Sequence, residues 1–205
     1  MSQDDRQRWN DRYRQAPAAR EPSEFLCSLA DRLPMTGRAL DLAGGQGHDA
    51  RWLARRGLDV TLVDVSDVAL EQAEALARDA GVPLKTRQLD LETEALPPGP
   101  FDLVVCLNYL WRPLFAALPS VLAPGGLFVF AQPTRSNLQG HPHPSARFLL
   151  EDGELPTRLQ GLQSLSLTEG WTDAGRHEAR LLARLSPDAG TGSQWPSAAL
   201  PRARY

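Results

Sequence analysis

The sequence predicts an α/β protein built on a doubly wound, largely parallel sheet that ends in an antiparallel hairpin. Three observations carry that prediction. From Ala39 onward, short apolar runs alternate with helical segments, the pattern that builds a parallel sheet covered on both faces. The first run ends in an acid and a glycine cluster, Asp41-Leu42-Ala43-Gly44-Gly45-Gln46-Gly47, from which a helix opens. The last two runs, Leu162–Thr168 and His177–Arg184, leave no room for a helix between them and must pair antiparallel.

Taken in order, residues 1–37 read as an N-terminal helical cap. Trp9 and Tyr13 lie four apart, on one helical face. Ser23 caps a helix expected to run through Leu33, closed by Pro34 and Gly37. Residues 38–185 form the core. Strand Ala39–Leu42 leads to a helix over His48–Arg56, which Gly57 stops. Strand Val60–Val63 follows, and Ser66 caps a helix whose Ala69, Leu70, Ala73, Leu76 and Ala77 make an apolar stripe ended by Gly81. Strands Leu84–Leu89 and Phe101–Leu107 come next, then a helix around Leu114–Leu122 that Pro119 must kink or split. Pro124-Gly125-Gly126 turns into strand Leu127–Ala131. Residues 186–205, rich in Ser, Pro, Gly and Ala without periodicity, read as a disordered tail.

Bulk properties narrow the function. At 205 residues with net charge −3 and no Lys/Arg block, the chain gives no reason to expect a nucleic-acid partner. Its longest apolar runs are too short to span a bilayer, and its polar N-terminus is not a secretory signal. Cys27 and Cys106 make no disulfide framework, so a reduced, cytoplasmic protein is expected.

The glycine loop brings backbone close to a nucleotide-bearing ligand, and Asp64, seventeen residues beyond Gly47, sits where a ribose-binding carboxylate belongs. The loop alone leaves the ligand open, because Gly45-Gln46-Gly47-His48-Asp49-Ala50 also fits a dinucleotide fingerprint. Asp41 argues otherwise. A carboxylate beside the loop is unwelcome next to pyrophosphate and favourable next to an ammonium group. Asp90, ending the third strand, is placed to accept a hydrogen bond from an adenine amino group.

Together these residues resemble the class I S-adenosylmethionine-dependent methyltransferases, whose first loop reads acid-x-Gly-x-Gly-x-Gly. Ala43 departs from that pattern at the first glycine, so the turn is expected to form in a region alanine tolerates. Leu122-Ala123-Pro124-Gly125-Gly126 is similar to the family's turn before the fifth strand. The resemblance spans roughly residues 38–131 and implies a Rossmann-like fold of seven strands in the order 3-2-1-4-5-7-6. It implies ribose contacts from Asp64 with Val65, adenine contacts from Asp90 with Leu91, and methionine-end contacts from Asp41 and the Ala43, Gly44, Gly45, Gly47 loop. Trp9-Asn10-Asp11-Arg12-Tyr13, Pro144–Leu150 and Glu169–Ala179 further resemble small bacterial methyltransferases of the tellurite-resistance type, akin to the thiopurine methyltransferases.

Asn108 and Tyr109, following the fourth strand at the carboxyl edge where open α/β sheets bind ligands, are the candidate residues toward the methyl or the acceptor. Trp9 and Tyr13 are candidates to close over the cofactor, or equally to anchor their helix on the core. No metal site is expected: His141 and His143 lack a third ligand, and a loop over the site is the preferred reading of that stretch. No Lys, His or Glu stands out as a general base, which favours a soft nucleophile such as a thiol or metalloid oxyanion. The expected activity is thus methyl transfer to a small-molecule acceptor by a monomer or homodimer. An NAD(P)-binding oxidoreductase and a non-catalytic S-adenosylmethionine-binding protein are the alternatives.

Overall fold

In the computed structural model, which describes residues 3–16 and 20–187, apolar runs and helical stripes become one seven-stranded sheet with helices on both faces. The helices are α1 (Gln3–Gln15), α2 (Glu24–Ser28), α3 (His48–Arg55), α4 (Asp67–Asp79) and α5 (Leu114–Val121). The strands are β1 (Arg38–Leu42), β2 (Asp59–Asp64), β3 (Lys85–Gln88), β4 (Phe101–Leu107), β5 (Leu122–Pro133), β6 (Leu162–Trp171) and β7 (His177–Leu185). Their order is β3-β2-β1-β4-β5-β7-β6. The first five pair in parallel, while β7 runs antiparallel to both β5 and β6.

Strands buried on both faces read as continuous apolar runs, and alternation then sorts their side chains between two cores. Ala39, Val60, Leu62, Leu103, Val105 and Val129 face α2, α3 and α4. Leu40, Val104, Cys106, Phe128, Phe130 and Leu181 face α5 and the 149–162 segment. Phe115, Phe128 and Phe130 meet there at 5.1–6.2 Å between ring centroids, in edge and tilted arrangements that aromatic quadrupoles favour.

Three expectations are corrected. The helix expected from Ser23 to Leu33 stops at Ser28, and a 3-10 turn over Ala30–Arg32 carries the chain on. Ser23 does cap it, accepting from the Leu26 N–H. Strand β5 begins at Leu122 rather than Leu127, with Pro124-Gly125-Gly126 as an interruption inside it. The register against β4 slips there, from Phe101 opposite Leu122 to Leu103 opposite Leu127, and Gly125 takes φ +77. Strand β3 is trimmed to Lys85–Gln88, because Leu84 packs with the α4 core before pairing begins. Helix α5 ends at Val121 with Pro119 inside it, which removes the backbone bond to the Phe115 carbonyl. From residue 188 on, the expected tail lies outside the described residues.

Helix α1 is too polar to dock by apolar burial and is pinned by specific hydrogen bonds. Buried Asn10 donates from Nδ2 to Asp67 Oδ1 at 2.7 Å and accepts at Oδ1 from Ser66 Oγ at 2.6 Å. Arg6 pairs with Asp67 at 3.1 Å. The Asp67 carboxyl is accordingly pulled down to about 2 by hydrogen bonds from Arg6 and Asn10. No helix among the described residues is long and apolar enough to cross a membrane.

On the opposite face Glu154 locks the segment after β5. It takes a bidentate pair from Arg112, with Nε to Oε1 and Nη2 to Oε2 both at 2.6 Å, and a second guanidinium from Arg158 at 2.7 Å. Those bonds, Arg112's first, pull its carboxyl from 4.5 down to about 2. A depressed folded pKa stabilises above the unfolded value and loses that contribution as pH falls through the folded one. Urea unfolding between pH 6 and 2 should therefore show stability declining below about pH 4.5, and Glu154→Gln should flatten that acid limb. An unchanged acid limb in the variant would show that the pair contributes nothing.

Candidate functional site

The site is built where β1 ends and α3 begins. Left-handed backbone recurs at alternate positions of the loop: Ala43 at φ 54, Gly45 at φ 56 and Gly47 at φ 69. The expectation that Ala43 sits in an alanine-tolerant region is thus wrong. Its Cβ adopts a conformation disfavoured by roughly 1–2 kcal/mol, and the surroundings hold it there. Gly44 N–H reaches back to Val63 O at 3.3 Å, and Gly47 N–H closes the turn onto Gly44 O at 3.0 Å. Glycine is required at Gly44 for space rather than φ: a side chain there would collide with the Asp41 carboxylate and Leu62.

Three carboxylates surround this loop. Asp41 is fully enclosed and accepts the Ala50 N–H in the first turn of α3, while its Oδ2 is buried with no hydrogen-bond partner. Asp49 accepts the Ser23 N–H at 2.7 Å, tying α2 to the loop. Asp64 uses Oδ2 for the Gly45 N–H at 2.9 Å and Oδ1 for the Ser66 N–H at 2.9 Å. Each of those oxygens keeps a further lone pair. Burial raises all three carboxyls, Asp41 well above its ordinary value because Asp49 and Asp64 lie close by. Among the described residues, no guanidinium or ammonium is in hydrogen-bond contact with any of them.

Helix α1 covers the loop. A Cβ added at Gly45 would run into the Tyr13 hydroxyl, and Trp9 stacks on the Tyr13 ring at 5.8 Å and 28°. Burial and the nearby Asp64 push the Tyr13 phenol up, so it stays protonated. The backbone carbonyl of Tyr13 accepts from Gln72, whose Oε1 accepts from the Gln46 amide at 2.9 Å. His48 contacts Gln46 at 3.3 Å and Arg51 at 3.0 Å. Since a guanidinium only donates, Nδ1 accepts and Nε2 carries the proton. Burial and Arg51 lower this imidazole to about 4, leaving it neutral with both nitrogens engaged.

The remaining candidates line the same edge of the sheet. Asp90 is half-buried, accepting from Glu92 N–H at 3.0 Å, with Leu91 buried beside it. Val65, half-buried, accepts at its carbonyl from Gln88. Asn108 takes φ 59 and bonds through its N–H to Ala131 O, while its Oδ1 accepts from Arg176 at 2.6 Å. The Tyr109 hydroxyl is buried without a partner, and burial with Glu92 and Cys106 nearby raises its pKa. His141 donates from Nε2 to Gly175 O at 2.7 Å, and no group of three or more metal-ligating side chains stands together among the described residues.

The sequence reading missed Asp49 as a partner of Asp41, Arg176 as the brace on Asn108, and Gln132. Gln132 is buried at the end of β5, bonded to Phe148 O with its own Oε1 unpartnered. Its signal was available: a polar residue at the carboxyl end of an apolar strand. Arg176 had none, since its partner lies 68 residues away.

The donor set identifies what fits. Unpaired buried negative charge beside closely approaching backbone suits a ligand bearing an ammonium or sulfonium centre, and repels a pyrophosphate. Comparison with known proteins agrees. Residues 39–126 match the family model described as a methyltransferase domain. A ubiquinone biosynthesis O-methyltransferase of Methylococcus capsulatus is 33% identical over 115 residues, covering 53% of this chain and 46% of that protein. An S-adenosyl-L-methionine-dependent Diels-Alderase of Talaromyces variabilis is 33% identical over 112 residues, covering 50% and 38%. The chain thus spans less than half the length of these curated relatives. The solved structure of TehB from Haemophilus influenzae superposes with a TM-score of 0.69 at 17% identity, over 86% of this chain and 66% of that one. That likeness shows the shared fold.

A carboxyl whose folded pKa is raised binds extra protons in the folded state, so its contribution to stability falls as pH rises above the unfolded value. Asp41→Asn should therefore be more stable than the wild type at pH 7, with the difference closing toward pH 4, as read by urea unfolding of the free protein. A variant less stable at every pH would mean that Asp41 is well paired in the free chain.

Proposed function

We propose that this chain, a class I S-adenosylmethionine-dependent methyltransferase by its domain match over residues 39–126 and by its seven-strand topology, transfers a methyl group from S-adenosylmethionine to a small-molecule acceptor. The observation that carries the reading is the buried, unpartnered Oδ2 of Asp41 among the Asp41, Asp49 and Asp64 carboxylates. An ammonium group there supplies the counter-charge that the protein itself withholds.

The residues divide the ligand between them. The Ala43–Gly47 backbone approaches the methionine end, with Asp41 facing its ammonium. The remaining lone pairs of Asp64 accept the ribose hydroxyls beside Val65, and Asp90 with Leu91 borders the adenine. Tyr13 and Trp9 cover the loop from α1, where a ring face attracts a sulfonium by about 1 kcal/mol. Bound there, the cofactor supplies an already activated methyl group. The protein's task is to align the acceptor in line with it and exclude water, which is worth several kcal/mol. Asn108 and Tyr109 stand on the acceptor side; Tyr109, protonated at neutral pH, serves as a hydrogen-bond donor and not as a base.

A soft or already ionised nucleophile, such as a thiol or metalloid oxyanion, needs no base. His48, the histidine beside the glycine loop, has both nitrogens engaged and is not free to serve as one. The curated O-methyltransferase relative favours a hydroxyl acceptor as a second reading. A cytoplasmic setting fits two free thiols, Cys27 and Cys106.

S-adenosylhomocysteine should raise the melting temperature of the purified chain and NADH should not. Asp64→Ala should retain the circular-dichroism spectrum of the wild type and lose the S-adenosylhomocysteine shift. Undiminished affinity in that variant would remove Asp64 from the site. Product release over a panel of thiols, selenite, tellurite and catechols then separates the soft-nucleophile reading from the hydroxyl one. Cofactor binding with no turnover on any of them would favour a non-catalytic role.

A further inference from the structure

A second polar feature lies at the carboxyl edge of β4 and β5, away from the glycine loop. It is an open cleft of about 630 Å³ lined by Arg112, Arg135, Arg147, Arg158, Glu151, Glu154 and Ala146. Arg112 ends the loop that begins with Asn108 and Tyr109, and Arg135 stands two residues beyond β5. Two of its walls thus come from segments that leave the carboxyl ends of β4 and β5, the edge of the sheet on which Asn108 and Tyr109 also lie and where open α/β sheets place ligands.

Its charges do not cancel. Glu154 is committed to Arg112 and Arg158, and it also accepts the Glu151 N–H at 3.0 Å. Glu151 pairs with Arg135 at 2.9 Å. Arg147 has no carboxylate partner among the described residues: its guanidinium lies 4.4 Å from the centroid of the Phe148 ring and is otherwise exposed. Four guanidiniums thus face two carboxylates. A fork pre-oriented on an aromatic face keeps its N–H edges free for a planar oxyanion, which it can grip through two bonds. The rest of the wall is fixed. Arg112 donates to Leu149 O at 3.2 Å and Gln132 to the adjacent Phe148 O, so the segment carrying Arg147 is tied to the ends of β4 and β5.

We propose that this cleft binds an oxyanion group and that the group belongs to the methyl acceptor, so that the substrate is an anion such as a carboxylate. The inference rests on the methyltransferase reading and adds to it the charge of the acceptor. The cofactor end of the site is negative and the acceptor end positive, so a cationic donor and an anionic acceptor are each drawn to their own side.

Arg147→Glu tests this with little risk to the fold, because Arg147 forms no ion pair among the described residues that the substitution would break. Binding is read by calorimetry in three steps. S-adenosylhomocysteine is titrated first and should bind wild type and Arg147→Glu alike; failure to bind either would count against the methyltransferase reading itself. The complex is then titrated with 4-mercaptobenzoate and with its neutral analogue 4-mercaptobenzamide. The benzoate should bind the wild type at least about tenfold more tightly than the benzamide, and Arg147→Glu should erase the difference. Equal binding of the two, or a preference for benzoate that survives Arg147→Glu, would overturn the proposal. Inorganic phosphate is the third arm. Competition between phosphate and the benzoate supports one shared oxyanion site, whereas independent binding of both would assign the cleft to a free anion and overturn the acceptor assignment.

Discussion

The arrangement of this protein turns on one buried carboxylate. Asp41 ends β1, accepts the Ala50 N–H at the start of α3 and leaves Oδ2 unpartnered inside the protein. Gly44 must be glycine because any side chain would strike that carboxylate. Asp64 then holds Gly45 from the next strand, and Asp49 holds Ser23 from α2. Asp41 and Asp64, buried, and Asp49, half-buried, have no cation in hydrogen-bond contact among the described residues and cost stability through desolvation and mutual repulsion. Such a cost persists where the surrounding structure over-determines it and a ligand relieves it, and here the left-handed Ala43 adds backbone strain at the same place. The bonds to Gly45 and within the Gly44–Gly47 turn hold the loop in one shape, which under the proposed function lowers the ordering cost of binding.

The N-terminal helix belongs to that same machinery. Its contacts with the core are polar and local: Asn10 with Ser66 and Asp67, Arg6 with Asp67, and Gln72 with the Tyr13 carbonyl. Ser66 caps α4 and simultaneously donates to Asn10, so the residue that starts α4 also seats α1. Hydrogen bonds of this kind are individually worth about 1 kcal/mol, far less than an apolar interface of similar size. A helix fastened in this way is separable from the core with little disturbance, as the proposed role of a cover over the glycine loop requires.

The legible part of the sequence was whatever short-range periodicity encodes. Alternating strands and helices, the Ser66 cap and the helix-free gap before His177 gave the elements and the parallel sheet ending in a hairpin because each depends on neighbours only a few residues away, while the strand order followed from the family resemblance. The tight glycine loop after β1 was legible too, since one segment carries both its acid and its glycines. Features that depend on distance or on context were not legible. The Arg176 bond to Asn108, the Asp49 bond to Ser23 and the Arg112 pair with Glu154 join positions that no spacing rule connects. Ala43 misled for a different reason. Its propensity argues against positive φ, and tertiary packing against the α5-side core overrides that preference. The broken helix after Ser23 has the same character: Leu29 and Leu33 are both buried by leaving the helical path.

Under the proposed function, donor and acceptor are held by separate parts of this scaffold. Proteins named for O-methylation and for a Diels-Alder reaction each match about half of this chain. A scaffold shared across such different names leaves the reaction open. Under the proposed function, the segments beyond β4 and β5 are the candidates for acceptor specificity: the Asn108–Pro113 loop, Gln132 with its unpartnered oxygen, and the arginine-lined wall from Arg135 to Arg158. These elements are braced by one another, through Arg112 on Leu149 and Glu154 and through Arg176 on Asn108. If the acceptor is held there as proposed, changing it means changing a connected wall and not a single side chain.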